Sequence, residues 1–126
     1  MSWDATLIDD RGHVEGDWNF THNCNRMANA IVHPDEATDL PVGKEVLFPK
    51  ADGREWQSWW EILDGMEGKE GAEFLTKIIA GLEAEPDRFR AMNPANGWGS
   101  YDAFLERLKE MRDRVPEWPC SWRVSG

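Results

Sequence analysis

Residues 70–85 read EGAEFLTKIIAGLEAE, and this stretch decides the fold. Phe74, Leu75, Ile78, Ile79 and Leu82 recur at three- and four-residue steps, which on a helix draws one apolar stripe. Pro86 closes the helix, because its ring lacks the N–H the ladder would need. Residues 101–115, YDAFLERLKEMRDRV, repeat the pattern. Tyr101, Phe104, Leu105, Leu108, Met111 and Val115 form the apolar side, and Glu106, Arg107, Lys109, Glu110 and Arg112 the wet side. Each stripe needs a cover, so the two helices are expected to pack together as the main support of the fold.

Outward from this pair, Pro86 to Met92 has room for one further helical turn. Asn93-Pro94-Ala95-Asn96-Gly97-Trp98-Gly99 is a turn-rich loop that leads to Ser100 as the N-cap of the last helix. Upstream, Trp56, Trp59, Trp60 and Leu63 fall at helical spacing before Gly65 and Gly68 interrupt them, which predicts a short aromatic helix. Residues 34–54 carry Pro34, Pro41, Gly43, Pro49 and Gly53 and read as a connector, with one short extended piece at Glu45 to Phe48. Thr21 suits the cap of a helix from His22 to Val32 that Pro34 ends, with Met27, Ala30 and Ile31 inward.

At the N-terminus, the apolar run Ala5 to Ile8, the polar turn Asp9-Asp10-Arg11-Gly12 and the stretch His13 to Phe20 predict a β-hairpin with a loose turn. Beyond Pro116 and Pro119, the tail Ser121 to Ser125 has the composition to add a strand to that hairpin. The expected architecture is α+β: a mainly helical single domain over residues 1–126 with a small N-terminal β-hairpin. No internal repeat, low-complexity tract or sustained heptad interrupts it.

The 126 residues suffice for one well-buried core, and 40% hydrophobic with 30% charged residues describes a globular, soluble chain. Eight Trp, five Phe and one Tyr supply too much apolar surface for a disordered one. Twenty-four acidic against fourteen basic residues leave a formal charge of -10. That charge makes nucleic acid an unlikely partner and suits either plain solubility or a basic partner. Residues 1–10 contain Asp4, Asp9 and Asp10 and no long apolar core. Neither a signal peptide nor a membrane span is expected, and cytoplasmic residence follows by default.

Cys24 and Cys120 lack the close pairing of a zinc ribbon or redox motif. Buried free thiols are the favoured reading, and a disulfide between them stays open. His13, His22 and His33 do not have the spacing of a HExxH zinc site. The acidic group Asp35, Glu36 and Asp39 lacks the glycine and alternating oxygens of an EF-hand, so it reads as a solvated face. Gly97 and Gly99 do not make a nucleotide fingerprint. No metal or cofactor is expected.

Two segments carry enough polar chemistry to recognise a ligand. In Asn19-Phe20-Thr21-His22-Asn23-Cys24-Asn25, hydroxyl, imidazole, thiol and amide groups gather at a helix entrance, where exposed backbone N–H groups favour an anion. Thr21, His22, Asn23 and Asn25 are the candidate ligand-binding residues here. The structural alternative is that Thr21 or Asn23 caps the helix and Asn25 ties down a loop. In the second segment, Asn93, Asn96, Trp98 and Tyr101 offer amides and flat aromatic surfaces for a base, sugar or peptide. Turn chemistry at Asn96-Gly97 and a Trp98 plug over the helix pair compete with that role. Cys24 and His22 invite a nucleophile-and-base reading, but no third orienting group accompanies them.

The segments Trp18-Asn19-Phe20-Thr21-His22-Asn23, Phe89-Arg90-Ala91-Met92-Asn93-Pro94 and Asn96-Gly97-Trp98-Gly99 resemble a group of small uncharacterised proteins of actinobacteria and their phages. The resemblance implies a host or phage accessory context and transfers no catalytic residue. The expected function is noncatalytic binding of a small molecule or protein through the two polar segments. The alternatives are a small enzyme using Cys24 and His22 on an anionic substrate, and an acidic protein inhibitor.

Overall fold

The computed structural model describes residues 2–32, 58–95, 97 and 99–125, with the side chains of Ser2 and His22 excepted. The expected connector, its extended piece at Glu45 to Phe48, His33, the group Asp35, Glu36 and Asp39, and Trp56 all lie outside the described residues.

Strands β1 (Ser2–Asp9) and β2 (Val14–Thr21) form the predicted hairpin. Strand β3 (Cys120–Ser125) pairs antiparallel with β1, so the sheet order is β2-β1-β3. Alternation sets the faces: Trp3, Ala5 and Leu7 of β1, Trp18 and Phe20 of β2, and Cys120 and Trp122 of β3 are buried. Asp4, Asp17, Asn19 and Arg123, one position off, face water. At the turn, the Asp9 carboxylate accepts the backbone N–H groups of Arg11 at 2.9 Å and His13 at 2.8 Å. Gly12 supplies the positive φ of 86° that closes the turn.

Both outer strands are guarded against adding another strand. Leu7 opposes Gly16 and Ile8 opposes Val14, which leaves Glu15 over as a bulge residue in β2. On β3, Trp122 exchanges backbone bonds with Gly65 and Met66 at 2.8 Å each. Val124 N–H donates to the Asp64 carboxylate at 2.8 Å.

Helices α1 (Asn25–Val32), α2 (Trp59–Leu63), α3 (Gly68–Ala84), α4 (Pro86–Arg90) and α5 (Tyr101–Asp113) cover the inner face. The expected α+β class is thus the observed one, including the strand contributed by the tail. A 3-10 turn over His22–Cys24 replaces the first turn of the helix expected after Thr21. The Thr21 hydroxyl draws the Asn23 N–H into this tighter turn at 3.3 Å. Helix α3 begins at Gly68, ahead of the expected start, because Glu67 caps it by accepting from Lys69 and Glu70.

Helices α3 and α5 pack along each other as expected, and Leu75, Ile78, Ile79 and Leu82 of α3 share one buried core with Phe104, Leu108 and Met111 of α5. Above the sheet, Trp3 stacks on Phe20 at 4.4 Å and on Trp60 at 5.7 Å, and meets Trp59 edge-on at 5.0 Å. This aromatic cluster joins β1, β2 and α2 into one core. Among the described residues, no helix is long and apolar enough to cross a membrane.

Candidate functional site

The two polar segments, far apart in sequence, meet in space. Gly99 lies so near the end of β2 that a β-carbon on it would come within 2.9 Å of both Cys24 Sγ and Thr21 Cγ2. Its φ of 97° is open to glycine and strained for other residues. The Cys24 thiol points at the Ser100 carbonyl, 3.9 Å away. Thus the entrance of α1 and the entrance of α5 share one wall.

Beside that wall opens a cleft of about 130 Å³, lined by Asn19, Phe20, Thr21, Cys24, Gly99, Ser100, Ala103, Phe104 and Arg107. Phe20, Phe104 and Cys24 are buried and make its apolar floor. Asn19 and Arg107 are exposed on its rim, and Thr21 and Ser100 are half-buried between them. The Arg107 guanidinium donates to the Asn19 carbonyl at 3.3 Å and stands 6.0 Å from the centre of the Phe20 ring. This places a cation over the mouth of an apolar hollow.

The other candidate residues hold the framework. Asn25 is buried, and its Oδ1 accepts the indole N–H groups of Trp3 at 3.2 Å and Trp59 at 3.1 Å. Asn93 Oδ1 accepts the Tyr101 N–H at 2.8 Å and, with Ser100 accepting from Ala103, caps α5. Tyr101 is buried, stacks on Phe89 and donates its hydroxyl to the Leu82 carbonyl at 2.8 Å. Asn23 is half-buried beside the cleft wall, its N–H on Thr21. Asn96, Trp98 and the His22 side chain lie outside the described residues.

The stripe pattern of 101–115 puts Arg107 on the wet face of α5 and Phe104 on its core side, and ties neither to the polar segments. The signal lay in spacing: Ser100, Ala103, Phe104 and Arg107 follow at three, one and three residues, one face of a helix's first two turns. Nothing local in the sequence marks Asn29 either. It is buried, and its amide accepts the Trp59 N–H at 2.8 Å and donates to Ser58 at 3.0 Å, fastening α2 to α1.

Burial pushes the Cys24 thiol up to about 11, so it stays protonated at neutral pH. A neutral thiol facing a carbonyl is a poor nucleophile. Both cysteines are free and buried. Among the described residues, no group of three or more His, Cys, Asp or Glu is placed to hold a metal ion. The chain matches no known family, no curated protein and no solved structure.

Proposed function

We propose that this protein is a noncatalytic binding module and that the cleft between the end of β2 and the start of α5 receives the ligand. One observation carries the reading: residues remote in sequence, Thr21 and Cys24 on one side and Gly99, Ser100 and Arg107 on the other, line a hollow with an apolar floor and a cationic rim, Thr21 being the one residue of the expected binding set among them. At about 130 Å³ the cleft is smaller than sites that enclose drug-sized molecules, so it suits a small molecule or one side chain of a partner. The Arg107 guanidinium favours a group that accepts hydrogen bonds, and Phe20 and Phe104 favour an apolar body beneath it. An accessory role of the kind implied by the resemblance to actinobacterial and phage proteins fits such a module. The enzyme reading is less favoured, because the raised Cys24 pKa withholds the thiolate that a cysteine nucleophile needs.

The test is a titration of the isotope-labelled protein with benzoate and with benzamide, followed by NMR. The amides of Thr21, Gly99, Ser100 and Ala103 should move together, and Arg107→Gln should weaken benzoate more than benzamide. Ala103→Phe, which fills an exposed wall of the cleft, should abolish both responses without unfolding the chain. Absence of a localised response to either compound, or the same response in both variants, would overturn the reading.

A further inference from the structure

At the opposite end of the sheet lies a surface that the cleft does not involve. Trp118 is 53% exposed and Val14 61% exposed, unlike the other large apolar side chains among the described residues. Trp3, Trp18, Trp59 and Trp122 are all buried, so a tryptophan left in water forfeits a large favourable burial. The indole is nevertheless held in place. Its Nε1 donates to the Glu15 carboxylate at 3.1 Å, and Glu15 is the bulge residue of β2, next to Val14. Pro119 follows and restricts the chain at that point.

Trp118 and Pro119 line a groove of about 530 Å³ with Asp9, Asp10, Arg11 and Glu15. Three carboxylates face one guanidinium there. Their field reaches the neighbouring Cys120 thiol, whose pKa is raised by burial and then by Glu15, Asp9, Glu67 and Asp10. An anionic ligand would be repelled, and a purely apolar one would strip water from carboxylates without replacing it. A second copy of this chain, at a formal charge of -10, has the wrong sign.

We propose that this groove docks an extended lysine- or arginine-bearing segment of a partner protein, with Trp118 as its platform. The methylene stem of a basic side chain lies along the indole, and its cation sits over the ring and against Glu15 and Asp10. Such a side chain satisfies both features of the surface at once, which neither an anion nor a neutral apolar group does.

The experiment is an NMR titration of the labelled full chain with acetyl-tetralysine-amide at low salt. The Trp118 indole N–H and the amides of Asp10, Arg11 and Glu15 should shift along a saturable curve, while Thr21, Gly99 and Ser100 in the cleft stay still. Trp118→Ala should weaken binding about five-fold and Glu15→Gln about three-fold, as expected for one cation–π contact and one exposed charge. Glu106→Gln, which removes the same charge from the exposed side of α5, should leave affinity unchanged. Trp118→Phe, with a smaller aromatic face, should fall between native and Trp118→Ala. Shifts spread evenly over carboxylates around the molecule, no shift at all, or native-like binding by Trp118→Ala and Glu15→Gln would each overturn the proposal.

Discussion

The indole of Trp122 occupies the space that a β-carbon on Gly71 would need. Such a carbon would sit 2.3 Å from both Cδ1 and Nε1 of that ring. The ring has no slack, because its Nε1 donates to the Gly68 carbonyl at 3.2 Å and it is wholly buried. Gly71 therefore lets α3 lie flat on β3, at the cost of a weak helix former in the helix's first turns.

Gly71→Ala should destabilise the protein by about 1–3 kcal/mol through overpacking, despite the gain of about 1 kcal/mol in helix propensity. Gly81→Ala is the control. Its new carbon meets the side chain of Ile31, at 2.5 Å from Cδ1, and that side chain is only half-buried, unlike the enclosed Trp122 ring. Its loss should be smaller. Reversible urea denaturation decides the matter, and a Gly71→Ala protein as stable as the native one would mean that α3 does not rest on Trp122 this closely.

Helical periodicity in 70–85 and 101–115, the apolar run at 5–8 with the stretch 13–20, and turn chemistry at Asp9 to Gly12 are local signals, and each located its element. Contacts that join distant residues have no such signal. Nothing near Gly71 in sequence announces Trp122, and nothing near Thr21 announces Ser100 or Arg107. The polar candidates illustrate the same limit. An asparagine that serves a ligand and one that serves two buried indoles look alike until the indoles are placed, and Asn25 is of the second kind.

Asn25→Ala should therefore act on the fold. It removes the acceptor for Trp3 and Trp59 and leaves two indole N–H groups buried, with a penalty of about 1–3 kcal/mol for each group left unsatisfied. A drop in thermal and urea stability of this order is expected. If ligand binding fell while stability stayed at the native level, the amide would belong to the site and not to the core.

Leu75 of α3 and Leu108 of α5 are completely buried, whereas Phe74, on the same sequence stripe as Leu75, is only half-buried. Leu75→Ala and Leu108→Ala should each cost about 2–5 kcal/mol, the usual range for a leucine truncated in a closed core. Phe74→Ala should cost less than either, even though it deletes more atoms. The ranking by equilibrium denaturation tests the rotation of α3 about its axis, and a Phe74 loss exceeding that of Leu75 would require the helix to be turned.

Burial in the hairpin turn pushes the Asp9 carboxyl up, but the amides of His13 and Arg11, with the charges of these two residues, outweigh it. The carboxyl is held below its ordinary value of 3.8. A depressed folded-state pKa means that the turn's contribution is present above the unfolded value and is lost as pH falls through the folded one. Native protein should thus lose hairpin stability on acidification below about pH 4, and Asp9→Asn should start less stable and show a flatter acid limb. Amide hydrogen exchange at Arg11 and His13 reads this directly; an identical acid profile in both proteins would remove Asp9 as the organiser of the turn.

Cys24 has the opposite sign. Its thiol is raised from an ordinary 9.0 to about 11, so the unfolded chain ionises first as pH rises. Between those two values the unfolded state binds fewer protons than the folded one, and stability must decline with pH over that window. Tyr101 and Cys120 are raised by burial as well, so the native protein is best compared with Cys24→Ala, in which both remain. From about pH 8 to about pH 10.5 the native protein should lose more stability than the variant does, and its Cys24 should react with iodoacetamide far more slowly than a free thiol at the lower pH. Rapid alkylation of folded Cys24 near neutral pH would show that a thiolate is present, and would restore the nucleophile reading that burial now opposes.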